Sequence, residues 1–159
     1  MNNNKKVVLI TGAASGMGLA SAKRFKKDGW VVYGTDLFPS AKNGDKFPTG
    51  PECILISPVN VTSEEEQQKV VDMIVSKHGR IDACVTCAGI GAGGFAHRIK
   101  MTTWDKVIQL AFVMKHVDHM EFYPNCHIFV TIHDLINIQL VYQALEIYQP
   151  KSVFLYLLS

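Results

Sequence analysis

Glycine disappears partway along this 159-residue chain: all twelve glycines lie within residues 1 to 94. Ordinary usage of about 7% predicts roughly four or five in the stretch that follows. The loss marks a change of character between the first part of the chain and the rest. An excess of one charge sign is also missing, since 16 Lys and Arg stand against 14 Asp and Glu, scattered through the chain with a net +2. That excludes the basic stripe which nucleic acid or an acidic membrane surface requires and leaves a small soluble ligand as the default partner. No run approaches the roughly 18 apolar residues that span a bilayer, and "VVLI" is too short for a signal-peptide core. A cytoplasmic, reducing location is the default expectation. Cysteines number only four. Cys84 and Cys87 lie in an extended-looking run, where residues three apart point to opposite faces, so buried thiols are expected rather than a metal or redox pair.

What is present is an alternation of short apolar runs with helical periodicity. Residues 6 to 11, "KVVLIT", predict a buried strand, and "GMGLASAKRFKKDG" predicts a helix with Leu19, Ala22 and Phe25 inward and Gly29 as its stop. "WVVYGTD" at 30 to 36 predicts a second strand, followed by a loop rich in Pro, Gly and polar residues, and "CILISPV" a third strand. A second helix is expected to start with a capping box, Ser63 and Glu66, to bury Val70, Val71, Ile74 and Val75, and to stop at Gly79. "RIDACVTCAG" predicts a fourth strand that runs into a small-residue turn. Apolar strands alternating with helices are the pattern of a doubly wound α/β fold with a parallel sheet covered on both faces.

The first strand-to-helix turn, within "VVLITGAASGMGLA", carries Gly12, Gly16 and Gly18. Glycine there permits a tight turn and close approach of a ligand, while the helix behind offers free N–H groups to a phosphate or pyrophosphate. Asp36 ends the second strand about 20 residues further on, where a carboxylate accepts hydrogen bonds from both ribose hydroxyls and repels a 2′-phosphate. The alternative is a solvated strand-end Asp. The two features together favour NAD over NADP, with Lys42 and Lys46 in the following loop as the counter-indication.

With those residues in view, the chain from about 5 to 110 resembles the short-chain dehydrogenase/reductase family. "TGAASGMG" at 11 to 18 is similar to the family's T-G-x-x-x-G-x-G cofactor turn. The resemblance implies a Rossmann-type fold, NAD as cofactor, Gly12, Ser15, Gly16, Met17 and Gly18 around the pyrophosphate, and Asp36 on the adenosine ribose. "VNVTSEE" at 59 to 65 is similar to the family's D-V-T element, with Asn60 in place of Asp, which implies adenine contact by Asn60 and the backbone of Val61. "VTCAGI" at 85 to 90 is similar to the N-N-A-G turn: Cys87 replaces the second Asn, while Ala88 and Gly89 remain for the nicotinamide-side ribose. "TTWDKVIQL" at 102 to 110 resembles the start of the helix that carries the family's catalytic Asn.

At the position of that Asn the chain has Ala111. The family's chemistry also needs a Tyr as acid/base, a Lys four residues later on the same helix face, and a Ser that holds the substrate oxygen. "HIFVTI" at 127 to 132 falls where the fifth strand belongs, but His133 and Asp134 follow it rather than a Ser. Four residues after Tyr123, Tyr142 and Tyr148 stand His127, Glu146 and Ser152. No catalytic residue can be assigned, and Tyr148 with Lys151 is one residue short, with Pro150 between them to interrupt a helix. The expectation is a cofactor-binding region over 1 to 110 and a divergent tail over 111 to 159, the chain leaving its family near residue 110 through a frameshift, an alternative ending or a gene-model error.

Within the tail, residues 133 to 150 have a helical pattern and "SVFLYLL" a strand pattern, so a β-α-β unit could complete the sheet. His116, His119, Cys126 and His127 invite a zinc reading, but scattered histidines are the favoured account and no metal is expected. The function expected by resemblance is hydride transfer between NAD(H) and an alcohol or ketone carbon, here catalytically incomplete, with a family-like homo-oligomer as an open alternative to a monomer. The rival is a non-catalytic nucleotide-binding or interaction protein.

Overall fold

The computed structural model describes residues 5–39, 44, 46–90, 100–116, 128–131 and 153–156. Its strands are β1 (Val7–Thr11), β2 (Val31–Thr35), β3 (Cys53–Ile56), β4 (Ala83–Thr86), β5 (Ile128–Thr131) and β6 (Val153–Tyr156), and its helices α1 (Gly16–Lys27), α2 (Glu64–His78) and α3 (Met101–His116). The six strands form one sheet in the order β3-β2-β1-β4-β5-β6, every neighbouring pair parallel. This is the doubly wound arrangement that the alternating pattern predicts. The order reverses direction between β1 and β4, and a crevice opens at the carboxyl ends of the strands at such a switch point.

Strand periodicity divides β1 between two cores. Val8 and Ile10 face α1 and pack with Leu19, Ala22, Phe25, Val32 and Val85. Val7 and Leu9 face α2 and pack with Val31, Tyr33, Val70, Ile74 and Cys84. The predicted inward faces of both helices are therefore the observed ones, with Val71 and Val75 half-buried at the margin of the second core. Fully burying one such side chain, Ile74 for example, stabilises the fold by about 1.5–3 kcal/mol. Cys84 belongs to the second core while Cys87 packs against the first, as residues three apart in an extended run should.

Helix stops fall where expected. Gly29 follows α1 with φ +81°, and Gly79 caps α2 in the left-handed region, its N–H donating to the Val75 carbonyl at 2.7 Å. The capping box is only half formed. Ser63 caps α2 and its hydroxyl accepts from the Glu66 N–H at 3.4 Å, but the Glu66 carboxylate reaches past Ser63 to accept from the Asn60 N–H at 2.6 Å. The Ser63 N–H is already held by the Asn60 carbonyl, which leaves the carboxylate to serve the next donor back.

The predicted fifth strand is observed as β5, and β6 lies beyond it at the sheet edge. The helix expected over 133 to 150 lies outside the described residues, as do His119, Cys126 and His127. Across the sheet, Thr35, Thr11, Thr86 and Thr131 stand opposite one another as the last residues of β2, β1, β4 and β5.

A buried carboxylate ties the opposite, amino edge of the sheet. Asp82, 4% exposed, accepts the Val7 N–H at 2.7 Å and donates its own N–H to the Val7 carbonyl at 2.8 Å, while Arg80 donates to its other oxygen. Removing the carboxylate strands a buried strand N–H without a partner. Asp82→Ala is expected to cost about 2 kcal/mol, read from the midpoint of urea unfolding; a change under about 0.5 kcal/mol would show that this tie is dispensable.

Candidate functional site

The predicted cofactor-side residues lie in the segments that follow β1, β2, β3 and β4 in the chain. The turn after β1 comes first. Gly12 has φ +64°, and a Cβ there would stand 2.7 Å from the Ala88 backbone N and Cα, so the turns after β1 and β4 touch backbone to backbone. A Cβ on Gly18 would strike the Gly12 carbonyl oxygen. Gly16, with φ +51°, has nothing within 4 Å of the place its Cβ would take. The three glycines therefore divide the work: Gly12 and Gly18 permit internal packing, and Gly16 leaves an open face over the first turn of α1.

That first turn is electrostatically unfinished. Ser15 is the N-cap, extended at φ −149°, and its side chain makes no capping hydrogen bond, and no acidic residue lies in the first turn. Helix α2 is the opposite case, with Ser63 capping it and Glu64, Glu65 and Glu66 in its first turn. Orphan N–H groups and the positive end of the helix dipole are thus neutralised within α2 and left unneutralised by side chains in α1. An anion beside Ser15, Gly16 and Met17 supplies what α1 lacks.

Asp36 follows β2 and is fixed by its own surroundings. One carboxylate oxygen accepts the Ala14 N–H at 2.9 Å and the other the Phe38 N–H at 3.1 Å. The Ala13 N–H donates to the Thr35 carbonyl at 3.0 Å, so the turns after β1 and β2 are laced together at two points. A carboxylate offers about four lone-pair positions, so two bonds of this kind leave acceptor capacity for further donors.

The turn after β4 is held by a residue that the motif reading passed over. The Thr11 hydroxyl accepts the N–H groups of Cys87 at 3.2 Å and Ala88 at 3.3 Å. The signal was present in the sequence as the Thr that begins "TGAASGMG", but its role depends on which strand neighbours β1, and only the topology supplies that. Cys87 is half-buried, and burial pushes its thiol up to about 12, so it stays a neutral thiol at physiological pH. Gly89 is exposed, with nothing within 4 Å of the place a Cβ would take.

Asn60 differs from the expected picture. Its side-chain oxygen, the acceptor assigned to adenine, already takes the Thr62 N–H at 3.0 Å and the Thr62 hydroxyl at 2.9 Å. Both lone pairs are thereby committed to its own turn. Val61 is buried, and its carbonyl accepts the Gln67 side-chain amide at 2.6 Å. The 60–61 segment is thus braced by the first turn of α2, with the Asn60 side-chain oxygen and the Val61 carbonyl engaged within the protein.

Ala111 lies within α3. Among the described residues no group of three or more His, Cys, Asp or Glu is placed to hold a metal ion, and no helix is long and apolar enough to cross a membrane.

The glycine assignments separate experimentally. Gly12→Ala combines a positive φ with a backbone clash and is expected to cost more than about 3 kcal/mol or to abolish folding, whereas Gly16→Ala meets only the left-handed backbone penalty of about 1–2 kcal/mol. Circular dichroism during urea unfolding measures both, and equal costs would mean that the Gly12–Ala88 approach is not a constraint.

Comparison with known proteins agrees with this geometry. Residues 6–115 match the short chain dehydrogenase family. Among curated proteins, the 3-oxoacyl-[acyl-carrier-protein] reductase of Thermotoga maritima is 38% identical over 109 residues, covering 66% of this chain and 44% of the reductase. The 3-hydroxyacyl-CoA dehydrogenase type-2 of Rattus norvegicus is 43% identical over 84 residues, covering 53% of this chain and 32% of the dehydrogenase. Among solved structures, the 3-ketoacyl-(acyl-carrier-protein) reductase of Brucella melitensis, complexed with NADH, superposes with a TM-score of 0.66 at 25% identity over 80% of this chain and 57% of its own. The ligand-free aldohexose dehydrogenase of Thermoplasma acidophilum shares the fold at 22% identity, with a TM-score of 0.65 over 95% of this chain and 64% of its own. The chain spans less than half the length of the two curated relatives. With the glycine turn, the Asp36 carboxylate and the small-residue turn after β4 meeting at one sheet edge, and the match running from residue 6 to 115, the chain belongs to the short chain dehydrogenase family.

Proposed function

We propose that this chain binds NAD(H) across the β1–β4 switch point as the cofactor-binding portion of an oxidoreductase of the alcohol/ketone type. The observation that carries the reading is the first turn of α1, left without side-chain neutralisation beside an open Gly16, with a fixed Asp36 carboxylate across the turn. The pyrophosphate takes the N–H groups of the α1 turn around Ser15, Gly16 and Met17. Asp36 takes the adenosine ribose hydroxyls through its remaining lone pairs. Held at both oxygens by backbone N–H groups, its negative charge faces any 2′-phosphate and favours NAD over NADP.

Asn60 and Val61 border the adenine, and Ala88 and Gly89, with the backbone of Cys87, border the nicotinamide-side ribose, whose turn Thr11 holds in place. The bound cofactor supplies the hydride chemistry. The relatives' names place such chemistry on 3-oxoacyl, 3-hydroxyacyl and sugar substrates. This chain contains no Tyr followed four residues later by a Lys, has Ile132, His133 and Asp134 rather than a Ser directly after β5, and has Ala111 in the place of the Asn. Binding is therefore proposed without turnover by this polypeptide, in the monomer or in a homo-oligomer.

NADH fluorescence titration tests the reading. The chain is expected to bind NADH more tightly than NADPH, Asp36→Ala to weaken NADH by about tenfold or more, corresponding to one charge-assisted hydrogen-bond set of about 1.5–3 kcal/mol, and secondary alcohols to go unoxidised in the presence of NAD. Unchanged affinity in Asp36→Ala removes the ribose assignment, and clear alcohol oxidation removes the incomplete-enzyme assignment.

A further inference from the structure

Gly34 breaks the apolar run of β2, and a glycine inside a strand weakens it unless another group must approach closely. Two groups do. A Cβ there would stand 2.6 Å from Cε2 of the Phe47 ring and 2.7 Å from the Ala13 methyl carbon. Gly34 is not among the glycines with positive φ, so room is what it supplies. It lies on the same face of β2 as Val32, which belongs with Ala13 and Phe47 to the core under α1. Phe47 is buried, and the segment after it is moored: the Lys26 ammonium donates to the Thr49 carbonyl at 2.9 Å, and the Cys53 N–H to the Gly50 carbonyl at 3.1 Å.

Ala13 passes the contact to the candidate site. Its N–H donates to the Thr35 carbonyl at 3.0 Å, the Ala14 N–H donates to the Asp36 carboxylate at 2.9 Å, and Ser15, the N-cap of α1, comes next. The ring therefore backs the short segment that joins the proposed ribose carboxylate to the open helix end. Close packing behind a turn limits the positions of its donors, and groups held in place before a ligand arrives bind it at a lower ordering cost. We infer that Phe47 is a positioning residue for NAD(H): seated in the slot that Gly34 leaves, its ring holds Ala13 and Ala14 so that Asp36 and the first turn of α1 keep the spacing the cofactor needs. The inference rests on the proposed NAD(H) reading and adds to it the packing contact that sets the two halves of the site.

The test uses the full chain and calorimetric titration of NADH. Phe47→Leu and Phe47→Met keep the slot apolar and fill it differently, so one folded variant suffices; Ile74→Val, in the second core, is the control for lost stability. With circular dichroism confirming the fold, the Phe47 variants should weaken NADH about fivefold and Ile74→Val should stay within about twofold of wild type. The loss should shrink when Asp36 is already Ala, because the two residues then act through one lacing. Amide exchange needs no ligand: relative to the Val7 N–H at the opposite edge, the Ala13 and Ala14 N–H groups should exchange about fivefold faster in the Phe47 variants. If wild type binds NADH and the Phe47 variants bind it equally well, the positioning role is overturned while the NAD(H) reading stands. Additive losses with Asp36→Ala, unchanged exchange at Ala13 and Ala14, or an equal loss in Ile74→Val overturn it as well. Failure of the wild-type chain to bind NADH at all overturns the parent reading, and this one with it.

Discussion

The contact between the turns after β1 and β4 is the constraint on which the candidate site depends. Two strands far apart in the chain run parallel side by side, and their outgoing turns come so close that Gly12 has no room for a Cβ beside Ala88. The Thr11 hydroxyl closes the same junction from the strand side by taking two N–H groups of the β4 turn. Once that junction is made, α1 must leave the edge at Gly16, and the lacing of Ala13 to Thr35 and Ala14 to Asp36 brings the end of β2 alongside. Three loops of separate origin are then one rigid surface.

The contrast between α1 and α2 shows how one chain treats equivalent helix ends differently. Both begin at the carboxyl edge after a parallel strand, and both carry Ser at the N-cap. In α2 the cap, three glutamates and the reach of Glu66 to Asn60 satisfy the end from within. In α1 glycine and methionine stand where those acids would be. Satisfying an end costs a protein nothing it can use elsewhere, whereas an end left open is favourable only when something else supplies the charge.

Much of the fold was legible because it rests on local rules. The period-2 alternation of β1 between two cores, the inward face of α1 at Leu19, Ala22 and Phe25, and the stops at Gly29 and Gly79 each follow from a few neighbouring residues. What the sequence did not disclose was relational. Nothing near Thr11 says that its hydroxyl will meet residues 87 and 88, because that depends on β4 crossing to the far side of β1. Nothing in "VNVTSEE" says that the Asn60 oxygen turns inward to Thr62, since an amide and the carboxylate it replaces suit the same turn with different partners. The half-formed capping box has the same origin: the carbonyl that took the Ser63 N–H lies outside the motif.

The line of threonines that ends β2, β1, β4 and β5 has a geometric corollary. Strands that finish in register give the sheet a level rim, so the loops that follow start at one height and differ only in lateral position. Asp36 and Ala88 leave from strands two places apart, which at the usual spacing of about 4.8 Å separates their origins by roughly 10 Å sideways. A molecule that touches both must lie crosswise over the strand ends and be extended, and a compact ligand of the same chemistry could reach one bank or the other but not bridge them.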